Sequence, residues 1–185
     1  MRLFTAITLT GQVQREIMRL IARLEEEQVG SLRLVSPENA HVTLCFLGEV
    51  QEDKLPMLHG ELEAVCSAVS RFEFTLAGLG AFPSVEAPRI LWVGLAPPEP
   101  FRQLAAAISN AARKMAIQVE EREFHPHITI GRLKEQRYKE KAQAFIGKTT
   151  VREVPPCKIE SADLYRSIQN REGSKYEMIS RFNLS

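Results

Sequence analysis

The chain has 185 residues, 44% of them apolar and 25% charged, with a formal net charge of +1. That length holds one domain with a real core, or two small lobes sharing one. The near-neutral balance excludes the bulk positive field of a protein that coats nucleic acid, so any polyanion must be met by a local patch; no apolar run approaches the roughly 18 residues that cross a bilayer.

The predicted elements alternate. Leu3 to Leu9 reads as a strand. After Thr10 and Gly11, Val13, Ile17, Leu20, Ile21 and Leu24 recur at three- and four-residue steps and predict an amphipathic helix, with Gly30 as its stop. Leu32 to Val35 reads as extended, and Ser36-Pro37-Glu38-Asn39 is turn chemistry. His41 to Leu47 is a strong strand ended by Gly48. A second helix carries Leu55, Leu58, Leu62, Val65 and Val69 on one face. Two extended runs follow, Phe72 to Leu76 and Arg89 to Leu95, separated by a loop from Gly78 to Pro88. Beyond Pro97-Pro98, Leu104, Ala105, Ile108, Ala111, Ala112 and Met115 give a third helix. Ile117 to Val119 predicts a short strand, Phe124 to Leu133 a longer one, and Tyr138 to Ile146 a charged helix. Val151 to Val154, Lys158 to Tyr165 and Tyr176 to Leu184 read as closing strands. Each half of the chain thus runs strand, helix, strands, helix, strands.

Three of the four histidines, His41, His125 and His127, lie in or beside two short motifs. His41-Val42-Thr43 and His127-Ile128-Thr129 repeat one pattern, His-x-Thr, inside apolar, β-like runs. Side chains alternate along a strand. Each motif therefore presents an imidazole and a hydroxyl on one face and anchors itself with apolar residues on the other. Histidine titrates near neutrality, so one imidazole can take a proton while another gives one. Two imidazoles with paired hydroxyls point to acid–base chemistry on a phosphate-like group. A lone His-x-Thr is usually structural; its recurrence in matching contexts, one per half, shifts the reading to function.

The segments His41-Val42-Thr43-Leu44-Cys45-Phe46-Leu47-Gly48 and Phe124-His125-Pro126-His127-Ile128-Thr129-Ile130-Gly131-Arg132 resemble the paired signatures of the 2H phosphoesterase superfamily. The chain is most similar to its RNA 2′,3′-cyclic phosphodiesterases, formerly called 2′-5′ RNA ligases. Supporting matches are Arg2-Leu3-Phe4-Thr5-Ala6-Ile7, Gly80-Ala81-Phe82-Pro83-Ser84, Pro88-Arg89-Ile90-Leu91-Trp92-Val93-Gly94, and Leu164-Tyr165-Arg166-Ser167 with Gly173 and Tyr176. The resemblance implies an α+β fold of two pseudo-symmetric lobes of antiparallel sheet, flanked by helices around a central cleft, in a single domain over residues 1–185. It implies metal-independent, cofactor-free hydrolysis of a terminal 2′,3′-cyclic phosphate to a 2′-phosphate. His127 is then the proton acceptor and His41 the proton donor, an order that the nearly symmetric motifs do not set by themselves.

Thr43 and Thr129 are expected to donate hydrogen bonds to phosphoryl oxygens. Arg132 is a further candidate phosphate contact, but its strand parity opposes that of His127, so a bulge near Gly131 is required. His125 invites a metal reading without a ligand cluster to support it. His59 reads as a surface residue, and Phe46 and Trp92 as core. Cys45 shares parity with His41 but nothing marks it as an activated nucleophile. Arg132, Lys134, Arg137, Lys139 and Lys141 form a basic stretch that reads as a solvated face or as a guide for an RNA backbone. The expected partners are RNA ends or small nucleotide cyclic phosphates, with no membrane. The three scattered cysteines and the lack of a signal-peptide core predict a cytoplasmic protein, and a monomer is expected. Competing readings are 2′,5′ ligation, a phosphodiesterase for small cyclic nucleotides or ADP-ribose cyclic phosphate, and a non-catalytic nucleotide-binding module.

Overall fold

A computed structural model describes residues 1–30, 32–120, 123–169 and 174–185. The strands are β1 (Arg2–Thr8), β2 (Leu32–Leu34), β3 (His41–Glu49), β4 (Phe72–Phe82), β5 (Ile90–Ala96), β6 (His127–Leu133), β7 (Cys157–Ile159), β8 (Ser161–Gln169) and β9 (Ser174–Asn183). The helices are α1 (Gly11–Glu26), α2 (Leu55–Ser67), α3 (Glu99–Lys114) and α4 (Lys139–Lys148). One sheet has the order β3-β1-β8-β9 and the other β2-β6-β5-β4-β7, with antiparallel pairing throughout.

The two sheets repeat one plan. The order β3-β1-β8-β9 matches β6-β5-β4-β7, and β2 is an addition beside β6. The lobes are not halves of the sequence, however. The C-terminal β8 and β9 complete the first sheet around β1, while β2, from the N-terminal half, joins the second. The expected pseudo-symmetry therefore exists in space rather than as two consecutive blocks of sequence.

The apolar periodicity sets the layers. On α1 the stripe Val13, Ile17, Leu20, Ile21 and Leu24 is buried, and the helix packs toward β6. α3 buries Phe101, Leu104, Ala105, Ile108, Ala111 and Ala112 and packs against β3 and α2, and α2 also contacts β9. Glu16 is the polar exception on α1. Its carboxylate accepts from Arg19 and from the Arg152 backbone N–H at 2.8 Å, tying the coil before β7 to the helix. Those partners hold its pKa below the ordinary value against the opposing effect of burial, the largest single influence.

Several boundaries differ from expectation. β4 runs on through Phe82, because its later residues pair with β5 as Leu79↔Val93 to Phe82↔Ile90, so the connecting loop is shorter than Gly78 to Pro88. Lys158 to Tyr165 is two strands, β7 in the second sheet and β8 in the first. Residues 117–119 and 151–154 are not strands: they pair with no sheet. α1 closes at Gln28, whose φ of +47° is left-handed. Gly30 serves packing instead, since a Cβ there would lie 2.6 Å from the Tyr138 ring. Gly173 lies outside the described residues.

Candidate active site

The two His-x-Thr motifs lie on β3 and β6, strands of different sheets that approach one another. His41, Thr43, His127 and Thr129 are half-buried, while Val42, Leu44, Ile128 and Ile130 behind them are buried. Both strands then break their alternation at the same place. In β3 the register steps from Ala6↔Thr43 to Thr5↔Cys45, leaving Leu44 as an extra residue. In β6 it steps from Trp92↔Thr129 to Leu91↔Gly131, leaving Ile130 extra. A bulge of this kind flips the parity of everything after it.

The flips decide two residues. Arg132 returns to the face of His127 and Thr129, as its proposed phosphate contact requires. Phe46 turns onto the face of His41 and Thr43 and is 50% exposed, so its expected place in the core is corrected; Cys45 takes the core position instead. Arg132 and Phe46 occupy equivalent positions in the two lobes, a guanidinium on one side and an aromatic ring on the other.

Each imidazole is held by a carbonyl two residues upstream. His41 Nδ1 lies 2.6 Å from the Asn39 carbonyl oxygen and His127 Nδ1 2.7 Å from that of His125. A carbonyl only accepts, so in both rings Nδ1 carries the proton and donates it, and Nε2 is left for chemistry. His41 Nε2 sits 2.9 Å from Thr43 Oγ1. An aromatic edge packs on each ring: Tyr176 on His41 at 5.3 Å between centroids, Phe82 on His127 at 4.9 Å.

The electrostatics join the two motifs. Burial is the largest influence on both imidazoles and pushes both pKa values below the ordinary 6.5, although each carbonyl contact pulls the other way. The Arg132 charge depresses both further, and His127 depresses His41. The two rings and the guanidinium therefore share one electrostatic neighbourhood.

Cavities open on either side. One of about 60 Å³ is lined by Phe4, Thr8, Asn39, His41, Tyr165 and Tyr176. A groove of about 600 Å³ runs from His127 past Phe82, Trp92 and Gly94 to Arg102. Trp92 lines this groove and is half-buried, so it belongs to the site's wall as much as to the core. Tyr176, Tyr165 and Phe82 were not singled out as site residues by sequence reasoning. They lie on strands distant in sequence from either motif, and only the sheet order brings them in.

The remaining candidates fall away from the cleft or play other parts. His125 is exposed, stands 3.8 Å from Glu123, and contributes its carbonyl to His127. Among the described residues, no group of three or more His, Cys, Asp or Glu stands together as a metal cluster. His59 is exposed on α2, edge-on to Phe182. Burial pushes the Cys45 thiol up, which disfavours the thiolate a nucleophile needs. Within the basic stretch, Arg137 pairs with Glu135 at 2.8 Å and Lys141 donates to the Gln28 carbonyl just beyond α1. No described helix is long and apolar enough to cross a membrane.

Comparison with known proteins places this fold among relatives. The chain is similar to the RNA 2′,3′-cyclic phosphodiesterase of Methanothermobacter thermautotrophicus, 30% identical over 183 residues that cover 99% of this chain and 98% of that one. Its structure resembles a Thermus thermophilus protein with a TM-score of 0.82 and 25% identity, over 100% of this chain and 98% of that one. It also resembles E. coli LigT complexed with 3′-AMP, with a TM-score of 0.78 and 28% identity over 100% and 98%. The family model of the 2′-5′ RNA ligase superfamily matches residues 13–170, most of the chain and both motifs. With paired His-x-Thr strands that approach one another and relatives matched end to end, the chain belongs to the 2′-5′ RNA ligase superfamily.

Proposed function

We propose that this chain hydrolyses the terminal 2′,3′-cyclic phosphate of RNA to a 2′-phosphate, with His41 and His127 as its acid and base. The observation that carries the reading is the matched pair of imidazoles, each with Nδ1–H committed to a carbonyl and each under the influence of Arg132. The names of the similar full-length relatives support the substrate.

In this mechanism a water oxygen attacks phosphorus while neutral His127 takes its proton at Nε2. The bond from phosphorus to the ribose 3′-oxygen breaks, and protonated His41 supplies the proton that this oxygen needs. The result is a 2′-phosphate, a free 3′-hydroxyl, an imidazolium at His127 and a neutral His41; exchange with solvent resets the pair. Thr43 and Thr129 donate hydrogen bonds to the non-bridging oxygens, and Arg132 neutralises their charge. The Phe46 ring offers the nucleobase a surface on which to stack.

The two sheets share one contiguous buried cluster, which supports reading residues 1–185 as a single bilobal domain. Three free thiols suit a reducing compartment, the cytoplasm. The deciding experiment offers the protein an oligoribonucleotide ending in a 2′,3′-cyclic phosphate, and the product isomer is identified. A 2′-phosphate is expected. No turnover, or a 3′-phosphate product, contradicts the proposal.

A further inference from the structure

The pseudo-symmetry of the two sheets is broken by β2, which has no counterpart in the first lobe. This three-residue strand pairs with β6 as Leu32↔Leu133, Arg33↔Arg132 and Leu34↔Gly131. Gly131 and Leu133 are buried, and a Cβ on Gly131 would meet Leu24 of α1 and Leu32 at 3.3 Å, so Leu32 and Leu34 share the core face. Arg33 is the one β2 residue on the opposite face, beside Arg132 and on the side of His127 and Thr129.

Directly opposed residues of an antiparallel pair have Cβ atoms about 4.5–5.5 Å apart, and like charges placed there repel. Both Arg33 and Arg132 are exposed, and neither has a hydrogen-bond or ion-pair partner among the described residues. Some arginines here do find carboxylates, Arg19 with Glu16, Arg137 with Glu135 and Arg181 with Asp163, and among the described residues the paired Arg33 and Arg132 do not. Two adjacent guanidinium groups that no described carboxylate neutralises form a site for a polyanion that spans both, and planar guanidinium forks suit phosphate oxygens.

Resting on the proposed reaction, we infer that Arg33 holds the phosphodiester that precedes the reacting nucleotide. Arg132 lies near both imidazoles and serves the cyclic phosphate. Arg33 lies one strand further out, about 4.8 Å away, where the next phosphate of the same chain follows. The enzyme then acts on the end of an oligonucleotide in preference to a mononucleotide, and β2 is the element that measures this.

The test compares kcat/KM for adenosine 2′,3′-cyclic monophosphate with that for a diadenylate ending in the same cyclic phosphate, in the wild-type protein and in Arg33→Met. The wild type should favour the diadenylate by roughly tenfold to a hundredfold, the scale of one charge-assisted contact. Arg33→Met should remove most of that ratio. It should also flatten the salt dependence on the diadenylate by about 0.7 in log–log slope, one phosphate contact on a single strand. Equal rates on both substrates in the wild type, or equal losses on both in Arg33→Met, would overturn the inference while leaving the hydrolase reading intact. No turnover of either substrate by the wild type would instead sink the reaction itself, and this inference with it.

Discussion

An imidazole that has given Nδ1–H to a carbonyl has one nitrogen left, and both His41 and His127 keep theirs at Nε2. Replacing either by alanine should lower kcat by about 10²–10⁴, the usual weight of one acid or base; steady-state kinetics on the cyclic-phosphate oligonucleotide check this, and wild-type rates in either variant contradict it. The depressed pKa values also fix a sign. In the free protein both rings lose their protons below 6.5, so kcat/KM, which needs one ring charged and one neutral, should peak on the acid side of that value. A bound phosphate stabilises imidazolium, so the kcat profile should lie at higher pH than the kcat/KM profile. Coincident profiles, or a kcat/KM maximum well above neutrality, would contradict the pair's assignment. The same shifts bear on stability: the unfolded chain binds more protons, so folding stability is full above 6.5 and falls as pH drops toward the folded values. The His and Thr positions were legible in sequence because strand parity needs only neighbours. Arg132 was legible only on the condition of a bulge near Gly131, and Phe46 was not, because no composition signal marks the bulge at Leu44.

At the scale of elements, those bulges build the site. Leu44 and Ile130 are each one residue too many for their partner strand, and the Ile130 carbonyl is satisfied by the Val35 N–H at 3.1 Å, beyond the end of β2. The β4–β5 pair shows how closely the wall is fitted. A Cβ on Gly80 would fall 2.2 Å from the Trp92 ring, so Gly80 lets the indole lie flat on β4. Trp92 touches Phe82, and Phe82 holds its edge against His127. Gly80→Ala should therefore destabilise by about 1–3 kcal/mol, the usual cost of overpacking, and should also reduce kcat/KM through the displaced ring. A thermal melt and an activity assay measure the two effects; a variant with unchanged Tm would show that the wall yields freely. Long apolar periods such as α1 and α3 were readable from sequence. The extension of β4 to Phe82 was not, because Gly78 and Gly80 mimic loop composition while serving a strand.

For the whole molecule, the lobes depend on strands exchanged between the two ends of the chain. Thr8 on β1, Asp163 on β8 and Arg181 on β9 are joined by one buried carboxylate, 2.5 Å from Thr8 Oγ1 and 2.7 Å from Arg181 Nε. This tie fastens the C-terminal pair to the sheet that carries His41. Asp163→Asn should cost about 2 kcal/mol, less than the ~3–5 kcal/mol of a fully buried pair because Arg181 is half in solvent. That corresponds to a Tm lower by roughly 4–8 °C for a chain of this size; an unchanged Tm would contradict it. Sequence order suggested two halves; sheet order shows two lobes that borrow from each other, because pairing partners are chosen by register and not by proximity along the chain.

The most direct measurement of the central claim is nitrogen-15 NMR of the histidine side chains during titration with adenosine 2′-monophosphate. The account predicts that His41 and His127 Nε2 resonances both shift with one shared Kd, and that both their pKa values rise on binding. If only one of the two rings responds, or if they saturate at different concentrations, they do not face a common phosphate.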